Sequence, residues 1–107
     1  MAGYHADVIA NVERALAQHD VVVVGMATNP HVKRARRALS DANIRFEYLE
    51  FGGYLSRWKE RLAIKMWSGW PTFPQVFVRG KLVGGADQTA TALEDGSLKR
   101  ALEGKAS

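Results

Sequence analysis

Trp70-Pro71-Thr72-Phe73-Pro74-Gln75-Val76-Phe77-Val78-Arg79-Gly80-Lys81-Leu82-Val83-Gly84-Gly85-Ala86-Asp87 is the stretch whose reading decides the fold. Two prolines bracket a turn that opens into an apolar run, and Phe73-Pro74 is a candidate cis peptide. The pattern predicts a strand over 75–79, a tight turn at Gly80 and a second strand over 81–83. Gly84-Gly85 then leads into a helix and puts no side chain between the backbone and a ligand. The backbone of Thr72 and Phe73 is suited to pair with an extended peptide, and the free N–H groups of the helix start favour an anion.

Upstream, Val21-Val22-Val23-Val24 is four β-branched residues between Asp20 and Gly25, as in a central strand buried on both faces. Before it, Val8, Ile9, Val12 and Leu16 recur at helical spacing, with Asp7 placed to cap a helix over 7–18. After it, Asn29 is a favoured N-cap and Pro30 suits the first helical position. In that helix Val32, Ala35, Ala38 and Leu39 form the inner stripe, and Lys33, Arg34, Arg36 and Arg37 the wet face. Residues 41–43 end it. Residues 44–50 alternate, apart from Leu49, as in a second strand, which Gly52-Gly53 breaks. Leu55, Trp58, Leu62 and Met66 recur at helical spacing and predict a helix over 54–66. Residues 89–94 read as helical, and Ser97 caps a last short helix to Leu102.

The order α-β-α-β-α-β-β-α-α makes the first two strands parallel through a helical crossover and the last two antiparallel. The fold class is therefore α/β: one domain over 1–107, a four-stranded mixed sheet with helices on both faces. With 47% hydrophobic and 24% charged residues the chain has a globular composition, and no apolar run reaches membrane length. A cytoplasmic location and no membrane partner are the expectations. The net charge of +4 favours an anionic partner but is too modest to argue for nucleic acid. The chain has no cysteine, which removes disulfides, thiolate nucleophiles and cysteine ligation of zinc or iron–sulfur clusters. Its three histidines, His5, His19 and His31, are scattered, so no metal site is expected.

The stretch 70–87 resembles the glutaredoxin family of the thioredoxin-like superfamily, most closely its monothiol branch, in which Trp-Pro-Thr-(Phe/Tyr)-Pro-Gln, a strand, a glycine turn and Gly-Gly-x-Asp recur. The resemblance covers about Val21 to Leu102. It implies a thioredoxin-like (glutaredoxin) fold, a glutathione ligand, and a place in redox homeostasis and electron transfer. By the same resemblance, Thr72, Phe73 and Pro74 would pair with the cysteinyl part of glutathione. Gly85, Ala86 and Asp87 would hold the γ-glutamyl end, and Arg61 would meet the glycine carboxylate with Lys65 nearby.

The departures lie at the reactive centre. Asn29 and Val32 occupy the family's two cysteine positions, Met26 replaces a lysine, and the insertion of the monothiol branch is absent. A thiolate at a helix start has a lowered pKa and attacks disulfides. Asn29 can do neither; its oxygen should accept from the same N–H groups. The expectation is a glutaredoxin-like protein with no catalytic residue, keeping a groove for glutathione or a cysteine-bearing protein but no thiol–disulfide exchange. No iron–sulfur cluster and a monomer are expected as well. Two alternatives stay open. One is a protein-interaction module. The other is a transferase-like enzyme that activates bound glutathione through Thr28 or His31, which leaves enzymatic activity undecided. Each site residue also has a plainer role: turn maintenance at 72–74 and 84–85, helix capping at Asn29 and Asp87, and solvated charge at Arg61, Lys65 and the basic helix face.

Overall fold

The computed structural model describes residues 6–53 and 56–103. In order they form α1 (Ala6–Gln18), β1 (Val21–Gly25), α2 (Pro30–Asp41), β2 (Glu47–Glu50), α3 (Trp58–Ser68), β3 (Gln75–Val78), β4 (Lys81–Gly84), α4 (Ala86–Glu94) and α5 (Ser97–Glu103). The sheet order is β2-β1-β3-β4. β1 pairs parallel to β2 and antiparallel to β3, and β3 pairs antiparallel to β4.

The valine run forms an interior strand because both its faces are covered. Val22 and Val24 point to one side, where they join Val8, Val12 and Ala15 of α1, Ile64 of α3, Phe73 and Phe77. Val21 and Val23 point to the other, with Ala35 and Leu39 of α2, Val76, Val78, Ala86 and Leu98. All four valines are at most 1% exposed. At about 1.5–3 kcal/mol for each fully buried side chain, this strand is the main apolar anchor of the fold.

Several boundaries differ from the sequence expectation. β2 is confined to Glu47–Glu50, where its parallel register begins at Val22↔Glu47; in that register residues 44 and 45 run past the start of β1 and have no strand opposite them. α1 already includes Ala6, so Asp7 lies in its first turn. α3 starts at Trp58 and runs to Ser68, later at both ends than predicted. Arg57 has φ 58°, a left-handed conformation that a helix cannot pass through, and Gly69 at φ 78° closes the other end. Tyr54 and Leu55 lie outside the described residues.

The described apolar residues whose spacing marks α3 face out. Trp58 is 55% exposed, Leu62 47% and Met66 75%, while Arg61 and Ile64 are buried. The spacing identified a helix but not the side that meets the sheet. β3 stops at Val78, since Arg79 (φ 53°) and Gly80 (φ 80°) form the two-residue turn, and β4 runs on to Gly84. α4 begins at Ala86, three residues before the predicted start. Ser97 is the first residue of α5, and the Asp95 carboxylate accepts from its N–H at 2.8 Å. Ala38 is half-buried, unlike the other three members of the α2 stripe.

Candidate functional site

Register places the site. Val24↔Gln75 sets the exit of β1 beside the entry of β3, and Val76↔Gly84 sets the exit of β4 beside both. The start of α2, the 72–74 turn and the start of α4 therefore share one end of the sheet. The loop after β2 reaches the same end, where Ala27 N–H donates to Gly52 O at 2.7 Å and Phe51 N–H to Gly25 O at 2.8 Å.

At the start of α2 the Asn29 side-chain oxygen accepts from His31 N–H at 2.8 Å and Val32 N–H at 3.2 Å. These are two of the donors that a helix start leaves free, and the cap takes them as expected. Val32 is buried in the core. Thr28 sits at φ 58°, and its hydroxyl donates to Ala27 O at 2.6 Å. His31 Nδ1 lies 2.8 Å from Arg34 Nη2; arginine only donates, so Nδ1 accepts and the ring proton is on Nε2. Met26 is a core side chain, 7% exposed.

In the central turn the Phe73–Pro74 bond is cis. Thr72 is exposed, whereas Phe73 and Pro74 are buried. Gln75, 0% exposed, donates through Nε2 to Trp70 O at 3.0 Å and Thr72 O at 3.4 Å, tying the turn to the strand that follows. Trp70 packs beneath the glycine pair: a Cβ on Gly84 would stand 3.2 Å from its Cη2 and 2.8 Å from Gln88 Cγ. Gly84 also has φ 133°, where side chains are strained, so glycine is needed there on two counts.

At the start of α4 Gly85 N–H donates to Gln88 Oε1 at 3.0 Å, and the buried Thr89 hydroxyl donates to Gly85 O at 2.8 Å. Gly85 and Ala86 are buried; Asp87 is exposed and its Oδ1 accepts from Arg34 Nη1 at 2.8 Å. The Arg34 hydrogen bond and charge hold the Asp87 carboxyl below its ordinary value of 3.8. Arg34 thus spans the two helix starts and joins His31 to Asp87.

Arg61 is 7% exposed, and its Nη1 donates to Phe51 O at 2.8 Å and Ser56 O at 2.6 Å. Its visible task is to pin the loop after β2. Lys65 Nζ stands 5.7 Å from the Phe73 ring centroid. The expected site residues therefore converge on one end of the sheet, with Thr72 and Asp87 at the surface and Phe73, Pro74, Gly85, Ala86 and Arg61 beneath it. Sequence reading missed Arg34, whose partner is 53 residues away and carries no local signal. It also missed Gln75 as the turn's anchor, although a polar residue inside an apolar strand was a usable cue. Among the described residues no three His, Asp or Glu side chains converge as metal ligands, and no helix is long and apolar enough to cross a membrane.

Comparison with known proteins agrees with this fold. The family model described as Glutaredoxin matches residues 21–83. A glutaredoxin-like protein of Dictyostelium discoideum is 50% identical over 102 residues, spanning 95% of this chain and 83% of that protein. The bifunctional monothiol glutaredoxin-S16, chloroplastic, of Arabidopsis thaliana is 50% identical over 42 residues, 39% of this chain and 14% of its own length. Among solved structures, the buckwheat glutaredoxin–glutathione complex superposes with a TM-score of 0.84 at 20% identity, covering 96% of this chain and 94% of that one, a likeness of fold.

Proposed function

The chain belongs to the glutaredoxin family, and on that premise we propose that it binds glutathione, or a cysteine-bearing peptide presented like it, without exchanging thiols. The observation that carries the reading is the Arg34–Asp87 pair at the mouth between two helix starts. The γ-glutamyl end of glutathione carries an ammonium and a carboxylate on one carbon. A side-by-side carboxylate and guanidinium is the complement of that zwitterion: Asp87 takes the ammonium and Arg34 the carboxylate, assisted by the start of α4. Thr72 and Phe73 offer main-chain partners for the cysteinyl residue, in the manner of strand addition. Lys65 is the cation for the glycine carboxylate, with Arg61 holding the loop alongside.

The ligand's sulfur then faces Asn29, whose oxygen is already bonded to the N–H groups that would stabilise a thiolate. Exchange requires a thiolate to attack a disulfide sulfur, and the 107 residues supply none. A cluster bound by cysteine is left out for the same reason. On this reading a single chain is the binding unit. It works in the cytosol, the compartment that keeps thiols reduced.

Isothermal titration separates this function from a scaffold role. Glutathione and S-methylglutathione should bind with similar affinity, because no step uses the free thiol. Asp87→Asn and Arg34→Gln should each weaken binding about tenfold or more, the worth of one charge-assisted contact. No heat with either ligand at millimolar concentration rules the reading out.

A further inference from the structure

A concave region lies along α2, bordering the candidate glutathione site at Arg34. Pro30, Lys33, Arg34, Arg36, Arg37, Ser40 and Phe46 line a groove of about 550 Å³ with no acidic side chain in its wall. That volume lies within the range of about 300–1,000 Å³ usual for small-molecule sites.

The charges here are unbalanced. Arg34 is paired with Asp87, but Lys33, Arg36 and Arg37 meet no carboxylate within 4.0 Å among the described residues. Lys33 and Arg37 are four apart on one helix, and Lys33 and Arg36 three apart, so these like charges face one another and repel. Arg36 is also the most constrained. Its guanidinium lies 3.9 Å from the Tyr48 ring centroid, and its Nε is buried with no hydrogen-bond acceptor. A donor in that state lacks something to donate to. Ser40 adds a hydroxyl one turn on from Arg36, and Phe46 adds an apolar wall.

A compact dianion answers the unpaired charges of Lys33, Arg36 and Arg37; the buried Nε of Arg36 lies beyond its reach. The dianion relieves the repulsion, accepts from the arginines and Ser40, and leaves Phe46 for whatever the anion is attached to. We propose that this groove binds a phosphate monoester of small-molecule size whose organic body packs on Phe46, as a mononucleotide would. The inference stands apart from the glutathione reading because it rests on Lys33, Arg36 and Arg37, which that reading does not use; Arg34 borders both sites.

The test is an amide chemical-shift titration of the whole chain with inorganic phosphate, AMP and a short single-stranded oligoribonucleotide at low ionic strength. AMP should give saturable shifts confined to residues 33–40 and 46 and bind tighter than phosphate. The exposed variants Lys33→Glu and Arg37→Glu, checked for folding by their spectra, should each weaken AMP about tenfold. Phe46→Ala should reduce AMP binding to the level of phosphate. Raising salt to about 1 M, where the screening length is about 3 Å, should weaken binding further. Shifts that never saturate, that gather at Asn29 or Gly85, or that ignore both charge reversals overturn the proposal. Binding only to the oligoribonucleotide overturns it in favour of an RNA surface. AMP binding no tighter than phosphate overturns the role given to Phe46.

Discussion

Asn29 caps the start of α2 through its own side chain. The helix start presents two N–H donors to one side chain, a neutral amide, at 2.8 and 3.2 Å. Removing the cap with Asn29→Ala should lower stability by about 1 kcal/mol, read by urea denaturation. Asn29→Cys asks whether the local electrostatics survive: its thiol should titrate well below the usual value of about 8.5, followed by thiolate absorbance. Asp87 gives the pH signature. Its carboxyl is held below 3.8 by Arg34. A depressed carboxylate stabilises the fold at pH above its ordinary range, and that contribution disappears as pH falls through the folded value. Carbon-detected NMR should find the Asp87 midpoint below 3.8, and Arg34→Gln should bring it back toward that value. The residue roles read best from sequence were the local ones. Asn29-Pro30 announces a helix start by chemistry alone, whereas Arg34 reaches its partner only after the sheet has brought the two helix starts together.

Among the elements, α3 is where sequence and structure part. Trp58, Leu62 and Met66 repeat every four residues, enough to mark a helix, yet the buried side chains are Arg61 and Ile64. The loop explains the rotation. Arg57 is left-handed, and Arg61 must turn inward to reach Phe51 O and Ser56 O, which fixes the face that α3 offers the sheet. Nothing in the spacing of apolar residues encodes an arginine that bonds main-chain carbonyls. Arg61→Leu should therefore cost about 1–3 kcal/mol through carbonyls left without a donor, measured by chemical denaturation in the absence of any ligand. A residue serving only a ligand would leave that stability unchanged. The β4–α4 junction is tight in the opposite sense. Gly84→Ala meets Gln88 at 2.8 Å and a φ of 133°, so it should lower stability by about 1–3 kcal/mol and give a lower thermal midpoint.

At the scale of the molecule, the fold was legible because its strongest signals are also its organising contacts. The four valines, the Gly80 turn and the order of elements lead to the mixed sheet that is observed. The position of β3 between β1 and β4 was not legible, since sequence order does not state which edge a hairpin joins. That placement creates the site by bringing residues 28–31, 72–74 and 84–87 to one end of the sheet. The proposed function requires this end to grip a thiol tripeptide with no cysteine of the chain facing it. A crystal structure of the chain soaked in glutathione tests that claim most directly. It should show the cysteinyl main chain alongside Thr72 and Phe73, the γ-glutamyl end between Arg34 and Asp87, and the ligand sulfur unbonded beside Asn29. Saturating glutathione found elsewhere on the surface, or absent from this end of the sheet, contradicts it.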